Sequence, residues 1–148
     1  MKLGQMQPFD VFLSYPHADE QAKEFVRSLL PSLSAAGVRA WDDSTMQAGE
    51  SWPEAIDAAL HQVHAFVIVI TSASASSVRL AFELGVAEGR SSMGDLPIIP
   101  VLVGDARTGD IPCLLRTRTA LDAREMPNMV IAQRIKEALS ASTLQKVG

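Results

Sequence analysis

Short apolar runs alternate with longer amphipathic segments along this chain. The run at 65–70, Ala-Phe-Val-Ile-Val-Ile, is continuous and rich in β-branched residues, which predicts a central strand buried on both faces. The complete set of predicted β-strands is 9–15, 38–41, 65–70, 96–103 and 119–122. Because strands and helices alternate, we expect an α/β fold, with a five-stranded parallel sheet and helices on both of its faces.

Local capping signals mark where several helices begin and end. Asp19 is a suitable N-cap for a helix whose apolar positions recur every three or four residues, and Gly37 is a suitable end for it. The sequence Ser-Trp-Pro-Glu at 51–54 has the form of a capping box and predicts the start of a further helix. Asn128 is expected to cap the last helix, whose core positions are Ile131, Ile135, Ala138 and Leu139.

The core-forming pattern covers 9–141, which suits a single domain. Residues 1–8 are a predicted N-terminal tail, and 142–148 are a predicted C-terminal tail or the start of a linker to another module. Within the domain, Pro97 and Pro100 favour a position nearer the sheet edge for the fourth strand, because proline cannot donate a hydrogen bond to a neighbouring strand.

The composition of the chain argues against several classes of function. The net charge of −4, without any block of Lys or Arg, argues against direct nucleic-acid binding. No apolar run is long enough to span a bilayer, and the first residues lack the apolar centre of a secretory signal, so we expect no membrane partner. The single cysteine, Cys113, is expected to be a structural thiol in a reducing cytoplasm. The three histidines show no metal-ligand spacing, so no metal is expected. No bound cofactor is expected either.

Glu83 is the leading candidate for a catalytic residue. It falls on the helix predicted after the polar loop 71–77, just beyond the carboxyl end of the strand at 65–70. Ligands of open α/β sheets bind in the crevice outside these strand ends, although a solvated helix carboxylate is the commoner role for a glutamate. A phosphoacceptor receiver domain would need an aspartate directly after this strand, where Thr71 and Ser72 stand instead.

Four segments in the right order and spacing resemble the Toll/interleukin-1 receptor (TIR) domain family, which has a flavodoxin-like fold. Residues 10–15 are similar to the family's first box, and 37–43 are similar to its second strand, which ends in an aromatic residue and an aspartate. The sequence Gly-Glu-Ser-Trp at 49–52 resembles the end of the family's mobile BB loop. Residues 77–84 resemble its Ser-x-Trp-x-x-x-Glu-Leu segment, with matches at Ser77, Glu83 and Leu84.

The resemblance implies one of two functions. Many bacterial and plant members cleave NAD+ at the nicotinamide–ribose bond, whereas most animal receptor and adaptor members are non-catalytic scaffolds that act through TIR–TIR contacts. The cleaving members depend on the glutamate that matches Glu83, so its presence favours an NAD+ nucleosidase that takes NAD+ as substrate. Such members build their site between two protomers, which implies self-association. Bacterial members often belong to antiphage systems, with a fused or separate sensor module.

The resemblance also implies a substrate site, for which the residues themselves leave alternatives. Tyr15 and Asp43 are candidate nucleotide contacts, the alternatives being core packing for Tyr15 and a loop-closing turn for Asp43. Gly49 belongs to the loop that would close over the substrate, and Trp52 is either a wall of the NAD+ pocket or a core residue. Arg79 stands where the family has a tryptophan, which removes an aromatic wall and offers a cation for a phosphate.

Overall fold

The computed structural model describes residues 10–16, 19–42, 54, 58–59, 62–72, 85, 97–111 and 120–147. Within them, five parallel strands form one sheet in the order β2-β1-β3-β4-β5. The strands are β1 (Val11–Ser14), β2 (Ala40–Trp41), β3 (Ala65–Ile70), β4 (Ile98–Leu102) and β5 (Leu121–Asp122). Each strand lies within one of the predicted apolar runs, so the predicted parallel α/β fold is confirmed.

The central strand of the sheet is β3. It pairs with β1 on one side, where Val11 lies opposite Ala65, and with β4 on the other, where Phe66 lies opposite Ile98. All of its residues are buried, as expected for a strand covered on both faces.

One face of the sheet packs against two helices, α1 (Glu20–Ala35) and α2 (Asn128–Val147), which also contact each other. Five positions of the apolar stripe predicted for α1 are buried, whereas Leu30, predicted to belong to it, is 37% exposed. Ile131 and Ile135 of α2 are fully buried. These helices cover alternate side chains of the strands, among them Val11, Leu13, Val67, Val69 and Val101.

The opposite face of the sheet is also buried. Phe12 stacks on Phe66 of the adjacent strand with 5.4 Å between ring centroids, and its ring lies 4.8 Å from that of Trp41. Ile68 and Ile70 continue this face of β3 and are fully buried. Burial on both faces explains why the central strand has a continuous apolar run instead of alternating apolar and polar residues.

Both ends of α1 are closed by the residues predicted to close them. The Asp19 carboxylate accepts a hydrogen bond from the backbone N–H of Gln21 at 2.8 Å. At the other end, Gly37 adopts a φ of +83°, in the left-handed region that favours glycine. The N–H of Val38 then donates to the Leu33 carbonyl at 2.9 Å, which is the long hydrogen bond of a Schellman motif.

The predicted cap of the last helix is wrong. The first hydrogen bond of α2 runs from the N–H of Ile131 to the carbonyl of Pro127 at 3.1 Å, which makes Pro127 the N-cap residue and Asn128 the first helical residue. The Asn128 amide instead donates to the Ser28 hydroxyl of α1 at 2.9 Å. The Asn128 side chain, predicted to cap α2, therefore joins α2 to α1 instead.

The fourth strand, β4, is paired on both sides, one strand in from the edge of the sheet. The Pro97 carbonyl accepts a hydrogen bond from β3 at 2.9 Å, while the Leu102 carbonyl accepts one from Ala123, just after β5, at 2.9 Å. Backbone groups of successive residues point to opposite sides of a strand, so the backbone nitrogen of Pro100, which carries no hydrogen, faces β5. Within the described residues, pairing with β5 begins only one residue later, at Val101.

The last helix extends beyond the predicted domain. Its backbone is helical through Val147, so residues 142–147, predicted as a tail or linker, continue α2. The predicted tail at 1–8 lies outside the described residues, and the domain boundaries stay predictions.

Candidate functional site

The strand order locates a candidate ligand site between the carboxyl ends of β1 and β3. The chain passes from β1 to β2 on one side and then returns to β3 on the other side of β1. In doubly wound sheets of this order, the ligand crevice opens at that switch point, outside the carboxyl ends of the two strands. Tyr15 follows β1 there, and Thr71 follows β3.

Tyr15 is buried and linked to the end of β2. Its side chain belongs to the core between the sheet and the two helices, and only 7% of the residue is exposed. Its hydroxyl donates to the carboxylate of Asp42 at 3.4 Å, and Asp42 is itself 6% exposed. The core position is the alternative considered for Tyr15 from its sequence, and a contact with a nucleotide stays a prediction.

Asp19 joins the start of α1 to the end of β3. One of its carboxylate oxygens caps the helix, and the other accepts a hydrogen bond from the Thr71 hydroxyl at 2.7 Å. Thr71 is fully buried, and a hydroxyl–carboxylate bond of this length is charge-assisted. The first turn of α1 is thereby fixed to the residue at which the central strand ends.

Two further hydrogen bonds connect the segment after β4 to the end of β3 and to the first turn of α1. The Ser72 hydroxyl donates to the Asp105 carboxylate at 3.2 Å, and the backbone N–H of Asp105 donates to the Gln21 side-chain oxygen at 3.4 Å. With the bond between Asp19 and Thr71, these contacts form a closed circuit, the edge ring, whose members are Asp19, Gln21, Thr71, Ser72 and Asp105.

The edge ring requires glycine at position 104. Gly104 has a φ of +64°, and a Cβ built there would overlap the side-chain oxygen of Gln21. Any other residue would therefore be strained and would displace Gln21 from the N–H of Asp105.

The carboxyl end of β5 carries a two-point ion pair. The Arg124 guanidinium donates to both carboxylate oxygens of Asp122, at 2.9 and 3.1 Å, and also donates to the Ala106 carbonyl at 2.7 Å. The hydrogen bond from Arg124 holds the pKa of the Asp122 carboxyl below its usual value. The pair thus ties the segment after β4 to the turn after β5.

Asp122→Asn is expected to lower the free energy of unfolding slightly at neutral pH. The lowered pKa means that the Asp122 carboxylate contributes stability above its unfolded pKa of about 3.9 and loses it as the pH falls through the folded pKa. The effect should be small, because the side chains of Arg124 and Asp122 are 43% and 28% exposed.

Urea unfolding of wild type and Asp122→Asn at pH 7 and at pH 3 measures this contribution. The difference between the two proteins should be smaller at the lower pH. An equal difference at both pH values would contradict the assignment of the ion pair.

Most of the predicted site residues lie outside the described part of the chain. Tyr15 is described, whereas the remainder fall in the ranges 43–53 and 73–84 and stay predictions: Asp43, Gly49, Trp52, Arg79 and Glu83. The structure therefore shows the scaffold at the switch point and one of its candidate side chains.

Sequence reasoning missed the role of Asp42. Strand alternation was the signal that could have found it, since Trp41 packs with Phe12 on one face of the sheet and the next residue must turn to the other face. That other face is the one on which Tyr15 lies. The bonds of Asp19 and Gln21 to the ends of β3 and β4 had no local signal.

Among the described residues, no three His, Cys, Asp or Glu side chains are grouped so that they could hold a metal ion. None of the described helices combines the length and the apolar character that a membrane crossing requires.

An open parallel sheet of this order, with polar side chains at the carboxyl ends of β1 and β3, defines a doubly wound α/β domain with a candidate site at its switch point. A family model described as the TIR domain matches residues 11–142. The chain belongs to the TIR domain family.

Three known proteins illustrate the relationship. The chain is 30% identical over 94 residues to the 2′ cyclic ADP-D-ribose synthase AbTIR of Acinetobacter baumannii; the match covers 63% of this chain and 34% of that protein. Its fold is similar to that of a TIR-STING receptor from C. gigas in complex with 2′,3′-cGAMP, with a TM-score of 0.69, 25% identity and coverage of 89% and 39%. It is also similar to the TIR domains of the activated Roq1 resistosome, with a TM-score of 0.62, 21% identity and coverage of 90% and 82%.

Proposed function

We propose that this chain is an NAD+ nucleosidase that cleaves the bond between nicotinamide and ribose, with Glu83 as its catalytic carboxylate. The observation that carries the proposal is the place of β3. It is the central strand, its carboxyl end borders the switch point, and the chain leads from there into the segment that carries Glu83. The match to a protein named as a cyclic ADP-ribose synthase supports the same reaction class.

The chemistry needs few groups from the protein. The bond between C1′ of the ribose and the nicotinamide nitrogen breaks, and its electron pair leaves with nicotinamide, which departs neutral without a general acid. Positive charge develops on the ribose, as in glycoside cleavage, and a carboxylate such as that of Glu83 can hydrogen-bond the ribose hydroxyls and stabilise this charge.

The second step determines the product. Attack by water on C1′, with loss of a proton, yields ADP-ribose. Attack by a nucleophile of the same molecule, an adenine nitrogen or a ribose hydroxyl, also with loss of a proton, yields a cyclic ADP-ribose isomer. The name of the Acinetobacter relative favours a cyclic isomer as the product to look for first.

The proposed substrate contacts come from both sides of the switch point. Tyr15 and Asp43 follow the first two strands, and Gly49 and Trp52 belong to the segment after β2. Arg79 supplies a cation for a phosphate of NAD+ in place of the aromatic wall that the family has at this position.

The proposed setting is a bacterial cytoplasm, where cleavage of NAD+ would serve antiphage defence. A fused or separate sensor module would cluster the domains, and TIR–TIR contacts would then complete the site. The competing proposal is a scaffold that recruits partners through the same contacts without catalysis.

Incubation of the purified chain at high concentration with NAD+, followed by mass spectrometry, separates these proposals. We expect free nicotinamide together with ADP-ribose or a cyclic isomer in equal amount. Intact NAD+ in a preparation shown to be folded and self-associated would favour the scaffold.

Trp52→Ala is expected to reduce NAD+ cleavage with little change in melting temperature, because the proposed role of Trp52 is to form a wall of the substrate pocket. Trp41→Ala provides the matched control, since Trp41 is 8% exposed and packs on Phe12 in the core. Truncation of such a core tryptophan costs about 3–5 kcal/mol of stability.

Thermal melts and initial rates of both variants, measured side by side, test the role of Trp52. A loss of stability in Trp52→Ala as large as that in Trp41→Ala would assign it to the core instead.

A further inference from the structure

The edge ring connects three elements that are far apart in sequence. Asp19 and Thr71 are 52 residues apart, Ser72 and Asp105 are 33 apart, and Gln21 and Asp105 are 84 apart. The ring therefore fixes the carboxyl ends of β3 and β4 against the first turn of α1.

The helix end of the ring is immobilised by the core. Directly after Asp19 and Gln21, Ala22 is fully buried between the helix and the sheet, and Phe25 and Val26 follow on the same stripe. A carboxylate held by such a helix has a fixed position, so the hydroxyl bonded to it is fixed as well.

The strand end of the ring is the last described point before the segment that carries Glu83. Thr71 and Ser72 directly follow β3, and Glu83 lies eleven residues beyond Ser72 in the sequence. Both residues are held by their side chains, Thr71 to Asp19 and Ser72 to Asp105. The direction in which the chain leaves the central strand is therefore set by the ring.

We propose that Asp19 and Thr71 are positioning residues for NAD+ cleavage, which act by fixing the point from which the chain departs toward Glu83. The inference rests on the proposed function. Neither residue needs to touch the substrate. Loss of their hydrogen bond should lower kcat, because a carboxylate displaced by about 1 Å from its productive place loses on the order of 100-fold in rate.

The test removes this bond from each side. Asp19→Ser keeps a good N-cap for α1 but is too short to reach Thr71 as well, and Thr71→Val keeps the side-chain shape without the hydroxyl. Thr71→Ser restores the hydroxyl. Ser28→Ala removes the hydrogen bond between α1 and α2 but none of the hydrogen bonds of the edge ring, and is the matched control.

Rates are measured on the complete chain at the concentration that gives the highest specific activity. We expect Asp19→Ser and Thr71→Val to lower kcat by roughly 10- to 100-fold with KM within about twofold. The loss of an interaction that is made only in the transition state lowers kcat and kcat/KM equally. The double variant should lose no more than the worse single variant, Thr71→Ser should recover most of the loss, and Ser28→Ala should keep the wild-type rate. Amide hydrogen exchange at 71 and 72 should be faster in both single variants.

Several results would overturn the inference. Wild-type kcat in folded Asp19→Ser and Thr71→Val, a change confined to KM, or a fall in kcat without faster exchange at 71 and 72 would each do so. Failure of the proposed function has a different signature. Wild type and all variants would then leave NAD+ intact, and the inference would fall with it, whereas an active wild type with equally active ring variants rejects the inference alone.

Discussion

Glu83→Gln is expected to reduce NAD+ cleavage by about 100-fold or more, the scale of loss found when a single group that stabilises transition-state charge is removed. The substitution keeps the size of the side chain and its ability to accept a hydrogen bond, but it removes the negative charge. Since the proposed reaction builds positive charge on the ribose, the charge of this residue should matter more than its shape. Initial rates of nicotinamide release, at equal protein concentration, measure the effect.

A matched substitution tests whether the effect is specific. Glu137→Gln removes the same charge from an exposed position on α2 and should keep the wild-type rate. Both variants should melt at the wild-type temperature, since neither carboxylate is proposed to support the fold. If Glu83→Gln stays folded and cleaves NAD+ as fast as the wild type, the assignment of Glu83 is wrong.

Specific activity should fall steeply on dilution. If the active species is an assembly, its fraction follows mass action, and below the dissociation constant each tenfold dilution should lower the rate per mole by roughly tenfold for a dimer. Activity should recover when the domains are clustered on a scaffold or by crowding. The measurement is a dilution series of initial rates, paired with sedimentation at the same concentrations.

The physical reason lies in the segment from 42 to 50. The sequence predicts that this segment is longer than the usual connection in an α/β unit, and it contains Gly49. Ordering such a segment costs about 1–2 kcal/mol per residue in backbone entropy, and contacts with a neighbouring protomer can offset that cost. Arg79 stands where the family has a tryptophan, so we expect one chain by itself to supply an incomplete pocket.

Substitution within this segment provides a second test of assembly. Met46→Arg or Gln47→Arg should suppress activity and self-association together while leaving the thermal melt unchanged. Specific activity that stays constant with dilution, in a protein that sediments as a monomer, would exclude the assembly mechanism.

Local sequence was sufficient for the central strand and the first helix. The apolar run at 65–70 coincides with β3, and Asp19 and Gly37 close α1 as their chemistry predicts. These signals succeed because helix periodicity, capping and strand burial depend on residues within a few positions of one another. The resemblance to the TIR domain family, found in four short segments, is confirmed by the match over 11–142.

For the candidate site, sequence predicted the location, and the structure added contacts between residues distant in sequence. Its place at the carboxyl end of the central strand followed from the order of strands and helices, whereas the Asp42 partner of Tyr15 became visible only with the sheet assembled. Glu83 and the segment at 43–53 stay predictions from sequence, as they lie outside the described residues.

The sequence by itself determined the fold class, the strand positions, the caps of α1 and the family, because each is encoded in short segments. Only the tertiary structure decided that β4 is paired on both sides despite its prolines, that Asn128 joins α1 instead of capping α2, and that the edge ring closes. In each case the deciding hydrogen bonds join residues brought together by the order of the strands. A polar side chain forms a hydrogen bond with whichever partner the packed core places within reach. That partner cannot be predicted from the neighbouring residues in the sequence.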